Sequence, residues 1–185
     1  MIGNLITKGI LKELVENNLI EFRPFFDIEA AQIAQYPLKA KSFLKKTGEK
    51  TFTTLNDFKI SEQYIIKPNQ FIIVEIMEQI ILPEGIVGRF IPASNLIEFG
   101  LGLIAGKLEH PFGKKGEMIR FGLKNYTDEE VAFNKNDRVA YIEFFDLRGL
   151  KHFETKLTER DEDIYSIRRQ RIYPITNDGE VNYDK

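Results

Sequence analysis

The alternation of apolar and polar positions divides the chain into one helix, a long run of short strands and a charged tail. Near the start, Ile10, Leu11, Leu14 and Val15 recur at i, i+1, i+4 and i+5, one face of a helix. Thr7 stands where a capping hydroxyl is wanted, and Asn17-Asn18 where a helix stops. Pro24 and Pro37 limit how regular the next stretch is. Tyr36-Pro37-Leu38-Lys39-Ala40 reads as extended, because a residue before proline is biased away from helix. The polar segment 45–57, KKTGEKTFTTLND, reads as a loop or hairpin, since apolar patterning resumes directly after it.

From Tyr64 the pattern becomes strand-like. Two β-branched runs flank the Pro68-Asn69 turn, and the second, Phe71 to Ile76, is nearly continuously apolar, which predicts burial on both faces. The stretch from Leu82 to Asn125 reads as strand, turn, short helical segment, strand, loop, strand. Two more strands, Glu130 to Phe133 and Arg138 to Phe145, are joined by the turn Asn134-Lys135-Asn136-Asp137. Short strands with turn signals at spacings of about 8–12 residues predict a mainly β fold, a sandwich or jelly roll. No helices cross between the strands, which argues against an α/β sheet. The expected organisation is a single domain over 1–185: a helix within 1–20, a β core over 64–147 and a C-terminal arm over 151–185. The arm is highly charged, yet Tyr165, Ile167, Ile172, Tyr173 and Ile175 give it material to pack.

Composition narrows the function classes. The chain has no cysteine, which removes disulfides, thiol nucleophiles and cysteine-ligated metal centres and fits a cytoplasmic location. A formal charge of −2 gives no general attraction to nucleic acid polymers or anionic membranes. No run approaches the ~18 apolar residues of a membrane span, and the opening MIGNLITKGILKEL does not read as a leader peptide. Two histidines, His110 and His152, without a third ligand at a recognisable spacing leave no metal site held by the protein. Mg²⁺ carried by a ligand's phosphates stays open. Phosphate-loop, dinucleotide and serine-nucleophile signatures are absent.

The residues with chemistry cluster in Leu82 to Asn125. Ser94 and Asn95 precede a short helical segment, and Lys107, Lys114, Lys115, Arg120 and Lys124 follow, which is material for anion recognition. Glu98, Glu109, His110 and Glu117 are the titratable candidates, with Glu109-His110 placed between an apolar strand and a Pro-Phe-Gly loop. Arg168, Arg169 and Arg171 add a second basic cluster in the arm.

Four segments in order carry a resemblance. They are Glu78-x-x-x-Leu82-Pro83, then Pro92-Ala93-Ser94-Asn95-Leu96-x-x-x-Gly100-Leu101, then Ala105-Gly106-Lys107-Leu108-Glu109-x-Pro111-Phe112, and Ile119-x-Phe121-Gly122-Leu123-Lys124-Asn125. Together they resemble the dCTP deaminase and trimeric dUTP pyrophosphatase superfamily. The likeness extends to the opening helix, to YPLKAKS, and to Tyr165-x-x-Arg168-Arg169-Gln170 in the arm. It implies a dUTPase-like distorted jelly roll, a homotrimer with sites between subunits, and a nucleotide ligand. Residue chemistry and the resemblance together place Ser94, Asn95, Lys107, Glu109, His110, Arg120, Lys124, Tyr165, Arg168, Arg169 and Gln170 at the ligand.

The departures bear on activity. Where the resemblance implies two arginines in the second segment, this chain has Ala93 and Glu98, and where it implies the sugar-contacting aspartate it has Glu109. Where deaminases carry the glutamate that shuttles protons, this chain has Gly122. A glycine transfers no proton, so the expectation is a non-catalytic nucleotide-binding protein, including one that sequesters a nucleotide signal as phages deploy against host defence. The alternatives are a divergent deaminase or pyrophosphatase, with Glu109 as its catalytic residue, and a regulatory oligomer with no small ligand.

Overall fold

The computed structural model describes residues 4–49 and 51–148. Asn4–Asp146 forms one compact unit. Thirteen strands and two helices are present among the described residues. In chain order they are β1 (Asn4–Leu5), α1 (Lys8–Glu16), β2 (Glu21–Arg23), β3 (Tyr36–Lys46), β4 (Phe52–Asp57), β5 (Gln63–Ile66) and β6 (Phe71–Ile76). Then follow β7 (Gln79–Ile81), β8 (Ile86–Pro92), α2 (Ser94–Glu98), β9 (Leu101–Ile104), β10 (Lys107–Glu109), β11 (Arg120–Asn125), β12 (Val131–Asn134) and β13 (Arg138–Asp146).

The fold is mainly β, as expected, and every ladder is antiparallel. The main sheet runs β10-β8-β13-β3-β6-β11-β9, with β1 added to β13 and β4 to β3. Two small ladders, β12-β5 and β2-β7, complete it. Strand β3 precedes residue 64 yet is central. Its first residues pair with β13 (Tyr36↔Ile142 to Lys39↔Arg138), its later ones with β6 (Ala40↔Ile76 to Leu44↔Ile73) and with β4. Bulges interrupt the register of β3 against all three partners. A bulge bends a strand and increases its twist, and the sheet curls around a shared core.

That core is built by alternation. On β11 the inward residues are Phe121, Leu123 and Asn125, and the outward ones Arg120, Gly122 and Lys124. Leu38, Ala40, Phe43, Ile72, Val74, Ile76, Leu123 and Phe133 are fully buried. Phe43 is the aromatic hub, with rings of Phe58, Tyr64 and Phe133 at centroid distances of 5.2, 5.3 and 5.3 Å. Buried Asn125 is satisfied: its amide donates to Ile66 O, Lys67 O and Glu129 O, and its oxygen accepts from Thr127 N and Oγ1.

Local expectations hold at α1, where Leu11 and Leu14 face the core and Asn18 takes φ 55° at the helix end. Thr7 is the N-cap residue, but its hydroxyl makes no capping bond. Segment 45–57 forms the β3–β4 hairpin. Phe71–Ile76 departs from the expected burial on both faces: Phe71 is 49% exposed and Ile73 only partly buried. Both lie on the outer face, where the facing strand carries a glycine. The arm 151–185, with Tyr165, Arg168, Arg169 and Gln170, lies outside the described residues.

One buried acid stands out. Glu78, between β6 and β7, is 8% exposed, and its Oε2 accepts the Lys39 N–H at 3.2 Å. Burial pushes its pKa up to about 7, against the lowering effects of the Lys39 N–H, its own N–H and the Lys39 charge. A carboxyl whose folded pKa is raised contributes stability below about pH 4.5 that is lost as pH rises through about 7. Glu78→Gln keeps the acceptor and removes the ionisation. In urea denaturation the variant should gain on the wild type between those pH values, by at most about 1.4 kcal/mol per pH unit. A stability difference that does not change with pH would contradict this.

Candidate functional site

The loop between β10 and β11 is built from consecutive turns. Phe112 N donates to Glu109 O, Lys114 N to Pro111 O and Gly116 N to Gly113 O, at 3.0, 3.3 and 3.0 Å. Gly113 and Gly116 take φ +89° and +83°, the left-handed region that glycine tolerates. A Cβ at Gly113 would also lie 2.9 Å from Ile80 O, so no larger residue fits there. Glu117 closes the loop: one carboxylate oxygen accepts the N–H groups of Gly113 and Lys115 at 3.1 and 3.0 Å. Its own N–H is the largest influence lowering its pKa, and those of Lys115 and Gly113 and the Lys115 charge add to it against a desolvation cost. Glu117 is therefore an ionised organiser of the loop and a poor proton donor.

The loop borders a cavity of about 550 Å³ lined by Lys107, Glu109, His110, Pro111, Phe112, Lys114, Lys115 and Glu117. Glu109 is paired with Lys107 at 2.8 Å and Glu117 is tied to backbone N–H groups. Among the described residues Lys114 is in no ion pair. Three lysines against two carboxylates give the lining a formal +1 before His110 is counted. A second cavity of about 270 Å³ is lined by Phe90, Gly106, Lys107, Leu108, Phe112, Met118, Ile119, Arg120 and Phe121. Lys107 and Phe112 line both. Both linings carry lysine; the smaller adds Arg120, already paired with Glu75, and the rings of Phe90, Phe112 and Phe121.

The residues expected at the site separate accordingly. Lys107, Glu109 and His110 share the larger cavity, while Lys107 and Arg120 line the smaller one. Arg120 is already engaged: its Nε and NH2 donate to Glu75 Oε2 at 3.0 and 2.7 Å, and its guanidinium lies 4.7 Å from the Phe52 ring centroid. Burial raises the Glu75 pKa, but hydrogen bonds from Lys41 and Arg120 and their charges outweigh it, and the net shift is downward. Lys124 lies over the Tyr126 ring at 5.2 Å and lines neither cavity. Ser94 and Asn95 open the five-residue α2 and also line neither. Ala93 is fully buried, and Glu98 is exposed at the end of α2. Neither Phe90 nor Phe112 is among the ligand residues expected from the sequence, although Phe112 ends the third resemblance segment. Phe90 reaches the site from β8 by tertiary packing alone, whereas the G-K-K-G-E run spanning 113–117 is a local signal for a built, cationic loop.

Gly122 is not an open position. It pairs with Ile73 on one side and Ile104 on the other. A Cβ there would lie 2.9 Å from two atoms of the Phe71 ring and 3.3 Å from Ile104 Cβ. The space above β11 from which a glutamate would project is occupied by Phe71. Introducing Gly122→Glu must move that ring, and Phe71→Ala should relieve the strain. A double-mutant cycle in urea should show a coupling of roughly 0.5 kcal/mol or more favouring the double variant. Strict additivity would contradict the contact.

Comparison with known proteins agrees with this architecture. The family model described as dCTP deaminase-like matches residues 28–147. No curated protein matches the chain in sequence. Among solved structures, the 2'-deoxycytidine 5'-triphosphate deaminase from Agrobacterium tumefaciens superposes with a TM-score of 0.63 at 13% identity, over 79% of this chain and 47% of the deaminase. The chain thus spans about half the length of that enzyme. A D95N dUTPase from phage phi11 of S. aureus gives 0.46 at 13% identity over 68% of this chain and 88% of its own. The EIAV dUTPase gives 0.41 at 12% over 60% and 88%. The shared curled antiparallel sheet and the family match over most of the described unit lead to one conclusion: the chain belongs to the dCTP deaminase-like family.

Proposed function

We propose that this protein binds a nucleotide without deaminating it. The observation that carries the reading is the pair of adjoining cavities that share Lys107 and Phe112. An aromatic base suits the rings of the smaller cavity and phosphates suit the lysines of the larger. The loop presents Lys114 and Lys115 on a frame fixed by two glycines and Glu117, so little ordering is needed on binding. Against turnover stand Gly122 beneath the Phe71 ring, Glu117 committed to backbone N–H groups, and Glu109 paired with Lys107. The lining offers no cluster of metal ligands among the described residues, so any Mg²⁺ would arrive with the phosphates.

A binding role without chemistry is a sequestering or sensing role, and a nucleotide ligand implies the cytoplasm. No helix among the described residues is long and apolar enough to cross a membrane. Assembly into a homotrimer is part of the proposal: Phe71, Ile104 and Tyr126 are 49, 61 and 64% exposed on one face of β6-β11-β9, an apolar patch suited to a second copy.

The test is calorimetric titration of the full chain with dCTP, dUTP, ATP and inorganic tripolyphosphate, followed by chromatography of the recovered nucleotide. Nucleotides should bind and return unchanged, and Lys114→Ala with Lys115→Ala should weaken all four ligands roughly tenfold or more. Gly106 lines the smaller cavity and a Cβ there meets nothing within 4 Å, so Gly106→Leu adds a side chain at that cavity without a clash at Cβ. That variant should weaken the nucleotides and leave tripolyphosphate unaffected. Conversion of dCTP to dUTP, or of dUTP to dUMP, would establish an enzyme instead, and absence of binding to all four would end the nucleotide reading.

A further inference from the structure

The loop bearing Lys114 and Lys115 is not held by its own turns alone, because β7 lies against it. Gln79 Nε2 donates to Gly113 O at 3.2 Å. Gly113 packs so near β7 that an added Cβ would lie 2.9 Å from Ile80 O. Gly116 faces the same side chain, with Gln79 Nε2 4.0 Å from where its Cβ would stand. Strand β7 is fixed in turn by β2, through Glu21↔Ile81, Phe22↔Ile80 and Arg23↔Gln79. At its start it is fixed by Glu78, whose carboxyl accepts the Lys39 N–H of β3. Adjacent residues of one short strand therefore join a buried acid to the lysine loop.

We propose that Gln79 is the positioning residue of the phosphate cradle, acting through Gly113, and that ionisation of Glu78 at the same corner weakens the cradle's hold on anions as pH rises. This rests on reading the lysine cavity as a phosphate site. Three groups bear on the corner. Lys39 of β3 supplies an N–H and a positive charge, Tyr36 of β3 supplies a phenol that senses the Glu78 charge, and Asp27 donates its N–H to that phenol. Lys39 and the N–H of Glu78 itself favour the charged form, and burial outweighs them, which places the titration of Glu78 near neutrality. Neutral Glu78 fits the corner as it stands. Ionised Glu78 is relieved when β7 moves toward water, and the Gln79–Gly113 hydrogen bond loosens with it. The cavity lining is common to every variant compared, so differences between variants isolate Glu78.

The experiment is titration of the full chain with inorganic tripolyphosphate at about pH 6 and about pH 8, for the wild type, Glu78→Gln and Gln79→Met, with circular dichroism in the same buffers to confirm folding. From the lower to the higher pH the wild type should lose affinity by roughly threefold more than Glu78→Gln does. Gln79→Met, which keeps the side-chain length and removes the donor, should bind roughly threefold to tenfold more weakly at the lower pH. It should also show the shallower pH response of Glu78→Gln, because the link to the loop is cut. A purely structural role for Gln79 would lower affinity and leave the wild-type pH response in place. Equal pH responses in the wild type and Glu78→Gln would overturn the proposal, even if Gln79→Met does not fold. Unchanged binding by Gln79→Met would overturn the positioning role while leaving the phosphate reading intact. A wild type that binds no tripolyphosphate at either pH would overturn both.

Discussion

The fold depends on β3 serving two neighbourhoods at once. Its first residues pair with β13 and its later residues with β6 and β4, and bulges mark the change. A flat sheet of nine strands would leave one apolar face in water. Bending at β3 turns β10-β8-β13 toward β6-β11-β9, so that Leu38, Val74, Leu123 and Ile142 share one core. The site inherits this geometry. Strand β10 lies at one end of the sheet path and β11 near the other, and the segment joining them spans both regions. The smaller cavity forms where that loop meets Phe90 of β8.

Charge is handled differently inside and outside that frame. Glu75 is buried but receives Lys41 and Arg120, so it stays ionised and pins β3, β6 and β11 together. Glu117 is exposed, and backbone N–H groups hold its charge. Glu78 has only backbone N–H groups and the Lys39 charge, and burial prevails. The same side chain is a clamp, a loop organiser or a titrating group according to how many donors reach it. Of the three, Glu78 alone titrates near neutrality, and it lines neither cavity.

Much of the fold was legible in the sequence because local periodicity and burial coincide. The spacing of Leu11 and Leu14 marks α1, Pro68-Asn69 marks a turn with Asn69 at φ 57°, and alternation marks β11. The four segments that carry the family resemblance, within 78–125, lie inside the matched residues 28–147, whereas the opening helix and Tyr165-x-x-Arg168-Arg169-Gln170 lie outside them. What local pattern cannot supply is the identity of neighbours far apart in the chain. The outward ring of Phe71 depends on Gly122, far along the chain. Phe90 and Gln79 reach the loop from β8 and β7. Arg120 looked available for a ligand, but Glu75 claims it from across the β6–β11 ladder. Glu78 read only as part of a motif, since its isolation is a property of the packed corner.

The most direct measurement is a crystal structure of the full chain grown with dCTP. The result expected is density for the triphosphate among Lys107, Lys114 and Lys115, the base against Phe112 and Phe90, an intact exocyclic amine, and the Phe71 ring still over Gly122. Density for dUTP in place of dCTP, or a nucleotide seated away from the loop between β10 and β11, would contradict a binding site from which the chemistry has been removed.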